Sequence, residues 1–260
     1  MRRKLFVLAV LGLALSAQVP ANDRLINVEG PGVAPSGSWR LGLGATLHRS
    51  HEDRTYVSFD GRFGLESGWE MGLRGTVARV GRANTFASLR SGGTDLELFF
   101  RHALQQFDGL TVQGGVAFPN TPAQDSPFIT AGVAYRLPMP ESQFKVIVGT
   151  RGIMKSGSTA VGISGGVVAP IGQGLEFMGD VTAIVRGVNT RDSRTGNTLR
   201  RMVYGVGLRY SPTLPTDGQL DWSVYIGLSN ALGFTTATSL SSALGNQPAL
   251  TLGVVLRGKS

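Results

Sequence analysis

Charged residues recur along this chain with apolar neighbours on both sides. Arg40 stands between Trp39 and Leu41, Glu70 between Trp69 and Met71, Glu97 between Leu96 and Leu98, and Arg209 between Leu208 and Tyr210. Guanidinium and carboxylate groups so placed can pair with each other, or hold and guide an anion, once the chain gathers them on one surface. Catalytic material is sparse. Cysteine is absent, which removes thiolate chemistry and cysteine-ligated metals. Gly162-Ile163-Ser164-Gly165-Gly166 has the spelling of a nucleophile elbow, but it lies inside an alternating stretch with no helix after it. His48, His51 and Asp53 are the only raw material for a hydrolase, and His51-Glu52-Asp53-Arg54 lacks the second histidine of a zinc site. No catalytic residue, metal or cofactor is expected.

The elements that must position these charges are strands. Side chains alternate to opposite faces of a strand, so a period of two gives each run one apolar and one polar face. Trp39, Leu41, Leu43, Ala45 and Leu47 oppose Arg40, Gly42, Gly44, Thr46 and His48. Trp69, Met71, Leu73 and Val77 oppose Glu70, Gly72, Arg74 and Thr76, and the same pattern carries on to Leu250, Leu252, Val254 and Leu256 opposing Thr251, Gly253 and Arg257. About twelve such runs are predicted, and helical periodicity is missing throughout. Connections alternate in length. Those near residues 67–68, 105–109, 138–142 and 171–174 are short; those at 81–94, 119–126, 187–198 and 230–247 are longer.

One polar face carries Arg40, Asp60, Arg62, Glu70, Arg74, Glu97, Arg101, Arg136, Lys145, Arg151, Glu176, Asp180, Arg209, Asp221 and Arg257. The opposite face carries almost no charge, His102 being the one plain candidate. Trp39, Trp69 and Trp222 fall at one level on the apolar face if odd strands run outward, with Phe144 and Tyr210 near the same level. That is the layout of an interfacial aromatic girdle around a barrel whose apolar face meets lipid.

From about Ser38 onward the chain resembles the bacterial outer-membrane β-barrel proteins. The resemblance implies an all-β, transmembrane, antiparallel up-and-down barrel of about twelve strands, with short periplasmic turns and longer extracellular loops. Its partners would be outer-membrane lipid and the barrel-assembly machinery. The start of the chain agrees with export: Arg2, Arg3 and Lys4, an apolar run over residues 5–15, then Ser16-Ala17-Gln18-Val19-Pro20-Ala21. This reads as a signal peptide over residues 1–21, cleaved after Ala21 or Ala17. Residues 22–37 then form a periplasmic segment, and residues 38–260 the barrel.

Lysine and arginine number 25 against 17 acids, a formal charge of +8. With the arginines turned into an enclosed face, nucleic acid is not an expected partner. Two readings of the interior stay open. It is a narrow channel with an anion-favouring field for small polar solutes, or a closed structural or surface-interaction barrel braced by arginine–carboxylate pairs. A loop over residues 186–201, with Arg191, Arg194, Arg200 and Arg201 against Asp192, either attracts anionic solutes and lipopolysaccharide phosphates or is merely solvated. The last loop, residues 230–247, either folds into the mouth and constricts it or stays mobile.

Overall fold

The computed structural model describes residues 24–48, 54–80, 94–120, 127–139, 142–155, 158–191, 195, 197–212, 220–242 and 246–259. Twelve strands close into one antiparallel barrel. They are β1 (Ser38–His48), β2 (Arg54–Gly64), β3 (Trp69–Val80), β4 (Thr94–Ala103), β5 (Leu110–Asn120), β6 (Phe128–Arg136), β7 (Lys145–Lys155), β8 (Ser158–Gly172) and β9 (Leu175–Arg186), followed after a short two-stranded ribbon by three more. The ribbon is β10 (Thr190–Arg191) paired with β11 (Thr198–Leu199). The last three barrel strands are β12 (Val203–Tyr210), β13 (Leu220–Ser229) and β14 (Ala249–Lys259), and β14 closes the ring on β1. Closure pairs every strand on both sides, so no open edge is left.

The alternating pattern survives into three dimensions with its faces sorted as the barrel reading requires. Leu43 and Ile163 are each 57% exposed on the outer wall, whereas Arg74 and Arg101 on the inner wall are 2% exposed. A soluble protein would bury that leucine and expose those arginines. His102, the one ionisable residue on the outer face among those singled out, stacks on Trp69 with ring centroids 4.3 Å apart. Trp39, Trp69, Phe144, Tyr210 and Trp222 all lie near the end where the short turns are. Trp69, Phe144 and Tyr210 are exposed there, Trp39 and Trp222 are half-buried, and Tyr210 meets Trp222 edge-on at 6.2 Å. Short turns need backbone that most residues avoid: the Gln173-Gly174 turn holds Gly174 at φ 70°, and the β2–β3 turn holds Ser67 and Gly68 at φ 57° and 76°.

One feature departs from the sequence reading, and a second falls on one of the alternatives left open for the last loop. Residues 24–37, expected in the periplasm ahead of the barrel, lie inside it and run back along the inner wall to β1. Their path is marked by bonds from Asn27 to Asp180, Arg101 to Gly30 and Gly32, Thr111 to Pro31, and Ala34 to Glu70. The loop after β13 also turns inward. Residues 230–240 are buried and include a short helix, α1 (Thr236–Leu240), capped by Thr235. The physical reason is visible on the wall. Several inward-facing residues are apolar, among them Ile147, Val168 and Met178, and these need an apolar partner within the lumen. Leu25, Ile26 and Val28 supply it, joining them in one buried cluster. The expected signal peptide, residues 1–21, lies outside the described residues.

Phe99 is the other large inward group, and Gly72 opposite it on β3 makes room. A side-chain carbon at Gly72 would run into the Phe99 ring. Gly72→Val is therefore expected to destabilise the folded barrel by about 1–3 kcal/mol. Urea unfolding in detergent checks this, with Gly72→Val/Phe99→Ala recovering part of the loss. No loss in the single variant would contradict the packing.

Candidate functional site

Asp60, Arg62, Glu70, Arg74, Glu97, Arg101, Asp180 and Arg209 are buried on the inner wall, and register sorts them into groups. On β2, β3 and β4, Asp60 stands opposite Arg74 and Arg74 opposite Glu97, while Glu70 stands opposite Arg101. Alternating charge on neighbouring strands lets each guanidinium reach an acid. Asp60 accepts from Arg62 at 2.6 and 2.7 Å. Glu97 takes both forks of Arg74, at 2.9 and 3.0 Å, and Glu70 accepts from Arg101 at 3.1 Å. Two-pronged contacts of this kind are the strongest guanidinium–carboxylate geometry.

The lumen's own chain completes the network. Glu29, on the inserted segment, receives Arg24 at 2.9 Å, Arg62 at 2.8 Å and Arg74 at 3.4 Å. Burial would by itself push this carboxyl up. The facing guanidiniums of Arg62, Arg24 and Arg74 outweigh that and hold it well below its ordinary value of 4.5. Arg62 and Arg74 also lie over the Phe99 ring, with guanidinium carbons 5.3 and 4.5 Å from its centre. Arg24 lies over Phe234 of the inward loop at 3.9 Å.

Across the lumen, Asp180 accepts the Asn27 backbone and side-chain amides at 2.8 and 2.9 Å. Arg151 donates to the Asn27 carbonyl and to Ser239 of α1, so one wall residue grips both inserted segments. The loop is tied to β3 and β4 as well: Thr236 donates its amide to Glu97 at 2.6 Å, and Thr235 bonds Asp95. Arg209, Glu176, Asp221 and Lys145 face the lumen near the short-turn end, where Arg209 pairs with Glu176 at 2.6 Å and donates to the Arg24 carbonyl at 2.9 Å. Arg40 and Arg257 sit opposite each other at that same end. Arg136 instead meets Asp108 at the surface, 3.8 Å away.

Beside Glu29 lies a cavity of about 40 Å³, bounded by Arg74, Arg101, Gln113, Arg151 and Thr236. That is room for on the order of a few water molecules. The wall behind it is different in kind. Facing residues of β5 to β8 include Gln113, Gly132, Gly149 and Ser164, which leave space wherever the inserted chain does not fill it.

Sequence reasoning placed the wall charges and missed what they hold: Arg24, Asn27 and Glu29. The available signal was the apolar residues on the polar face, namely Tyr56, Phe99, Ile147, Val168, Met178 and Tyr225. The hydrolase material does not assemble among the described residues. His48 is buried at the long-loop end with its ring edge-on to Tyr56 at 5.5 Å, and His51 and Asp53 lie outside the described residues. Ser164 faces Thr182 at 2.8 Å inside β8. In the loop after β9, Arg200 donates to the carbonyls of Val185 and Gly187, both at 3.1 Å; Asp192 and Arg194 fall outside the described residues.

No protein-family model matches the sequence, and no curated protein does. Solved structures match it in fold. The COG4313 outer membrane channel from Pseudomonas putida F1 shares 11% identity at a TM-score of 0.50, over 87% of this chain and 96% of that one. The NanC porin shares 10% at 0.49, over 85% and 100%. A KdgM porin in complex with disordered oligogalacturonate shares 12% at 0.48, over 84% and 97%. At 11% identity the first of these shows a shared fold, a closed barrel, and nothing about a solute.

Glu29 also sets an acid limit on the docked segment. A carboxyl held below its ordinary value contributes stability that is complete above that value and is lost as pH falls through the lowered one. Hydrogen exchange of residues 28–34, corrected for intrinsic rates, is therefore expected to lose protection as pH falls well below 4.5. Glu29→Ala should loosen the segment at pH 7 by about 3 kcal/mol, for guanidiniums left without their acid, and its difference from wild type should shrink as pH falls well below 4.5.

Proposed function

We propose that this protein is an outer-membrane channel for small polar solutes, anion-favouring in its lumen, and that the structure is its closed state. The carrying observation is what fills the lumen. It is a length of the protein's own N-terminal chain, fastened mainly by ion pairs and hydrogen bonds, rather than wall side chains packed against each other. Such a filling can leave without disturbing the barrel's backbone pairing. The glycine, serine and threonine positions behind it would then line a water-filled path, with the arginines and Lys145 together in slight excess over the acids along it.

The outer face supports the membrane setting. Tilted strands whose outward positions are apolar, many of them exposed, span a hydrocarbon layer, and the aromatics at the short-turn end fit its interface. By the same reading the short turns face the periplasm, residues 1–21 are a cleaved export signal, and the barrel-assembly machinery inserts the chain. Outer-membrane lipid and small anionic solutes are its partners. The density of buried ion pairs favours one competing account, a permanently closed barrel of structural or surface-interaction role.

Planar-bilayer recording separates the two. The refolded wild type is expected to show small or infrequent conductance steps. A variant lacking residues 24–34 should show steps at least severalfold larger, with a reversal potential displaced toward that of the anion in a salt gradient. If the shortened barrel folds and shows no steps at any voltage, the channel reading fails and the closed barrel stands.

A further inference from the structure

One part of the inner wall breaks the alternation of charge. On β1, Arg40 stands directly opposite Arg62 of β2 on one side and directly opposite Arg257 of β14 on the other. Three guanidinium-bearing residues thus share a single row. Like charges directly opposed across strands destabilise a sheet, so this row needs compensation.

The neighbouring carboxylates are committed elsewhere. Asp60 gives both oxygens to Arg62 and one of them also to Arg24. Glu176 is held by Arg209, and Asp221 stands opposite Arg257 on the side away from Arg40. Among the described residues no carboxylate lies within ion-pair distance of Arg40, and its buried Nε makes no hydrogen bond. The side chain as a whole is half-buried, third from the start of β1, so it is reachable from the short-turn mouth. A guanidinium offering unused donors in a fixed fork between two further cations is a receptor for one planar or tetrahedral oxyanion.

We propose that the Arg62, Arg40 and Arg257 row is an oxyanion site, taking one carboxylate or phosphate group of a solute at the short-turn mouth. Arg40 supplies the donors, and its two neighbours supply the field. The site deepens the channel reading by naming a chemical group, and its test involves no transport, so either idea can fail without the other.

Thermal unfolding of the refolded barrel in a zwitterionic detergent at low ionic strength provides that test. Inorganic phosphate and succinate are titrated separately, with sodium chloride at matched ionic strength as the screening control. For the wild type, saturating phosphate or succinate should raise the midpoint by about 2–4 °C beyond chloride. The larger response of the two identifies the preferred group. Arg40→Gln should show a midpoint no lower than wild type without added anion, and should lose the extra shift. Arg40→Lys, which keeps the charge but not the fork, should retain less than half of it. The site is refuted if chloride alone reproduces the wild-type shift, if Arg40→Gln keeps it, or if Arg40→Gln cannot fold.

Discussion

A closed barrel turns a row of arginines inward and gives them little water, and Glu29 is the acid around which that problem is solved. Arg24, Arg62 and Arg74 all reach its carboxylate. Removing a charge of this kind from water costs several kcal/mol, recovered only when each partner finds its complement in good geometry. The wall supplies Asp60, Glu70 and Glu97, and the inserted segment supplies the one further acid that joins their arginines into a single network. The position of residues 24–37 follows from that electrostatic demand together with the apolar seat made by Ile147, Val168 and Met178.

The two inserted pieces are held in different ways. The loop after β13 is embedded: residues 230–240 are buried, and α1 is bonded to β3, β4 and β7 through Thr236, Thr235 and Ser239. Its ends are anchored in adjacent strands, so leaving would mean unfolding a connection. Among the described residues, the N-terminal segment continues into a barrel strand only where it enters β1. On the channel reading it is the element that leaves the lumen as a unit, while the inward loop remains as a fixed constriction. An arginine-rich wall and a removable acidic filling belong together physically, because an anion and the Glu29 carboxylate present the same chemistry to the same guanidiniums.

The barrel was legible in the sequence because a period of two is a strictly local signal. Leu41 and Arg40 report opposite faces without reference to anything distant, and the turn lengths order the strands. The lumen's contents were not legible, for the converse reason. Nothing near Glu29 in the chain says that Arg62 and Arg74 lie beside it, since those contacts depend on closure and register. Ile147, Val168 and Met178 sat at inward positions where the pattern called for polar or small residues, and each was a local mark of a partner inside. Phe99 and Tyr225 carried the same information.

The placement of the N-terminal segment in the lumen is tested most directly by a cross-link. The chain has no cysteine, so an introduced pair reports without interference. Asn27 and Ser229 are in side-chain contact at 2.7 Å across the lumen. Asn27→Cys/Ser229→Cys is expected to form a disulfide in the folded barrel under mild oxidation. The oxidised protein should stay at low conductance under conditions where the reduced protein opens, and reductant should restore opening. Absence of the cross-link in folded protein, or full opening while it is intact, would contradict the account.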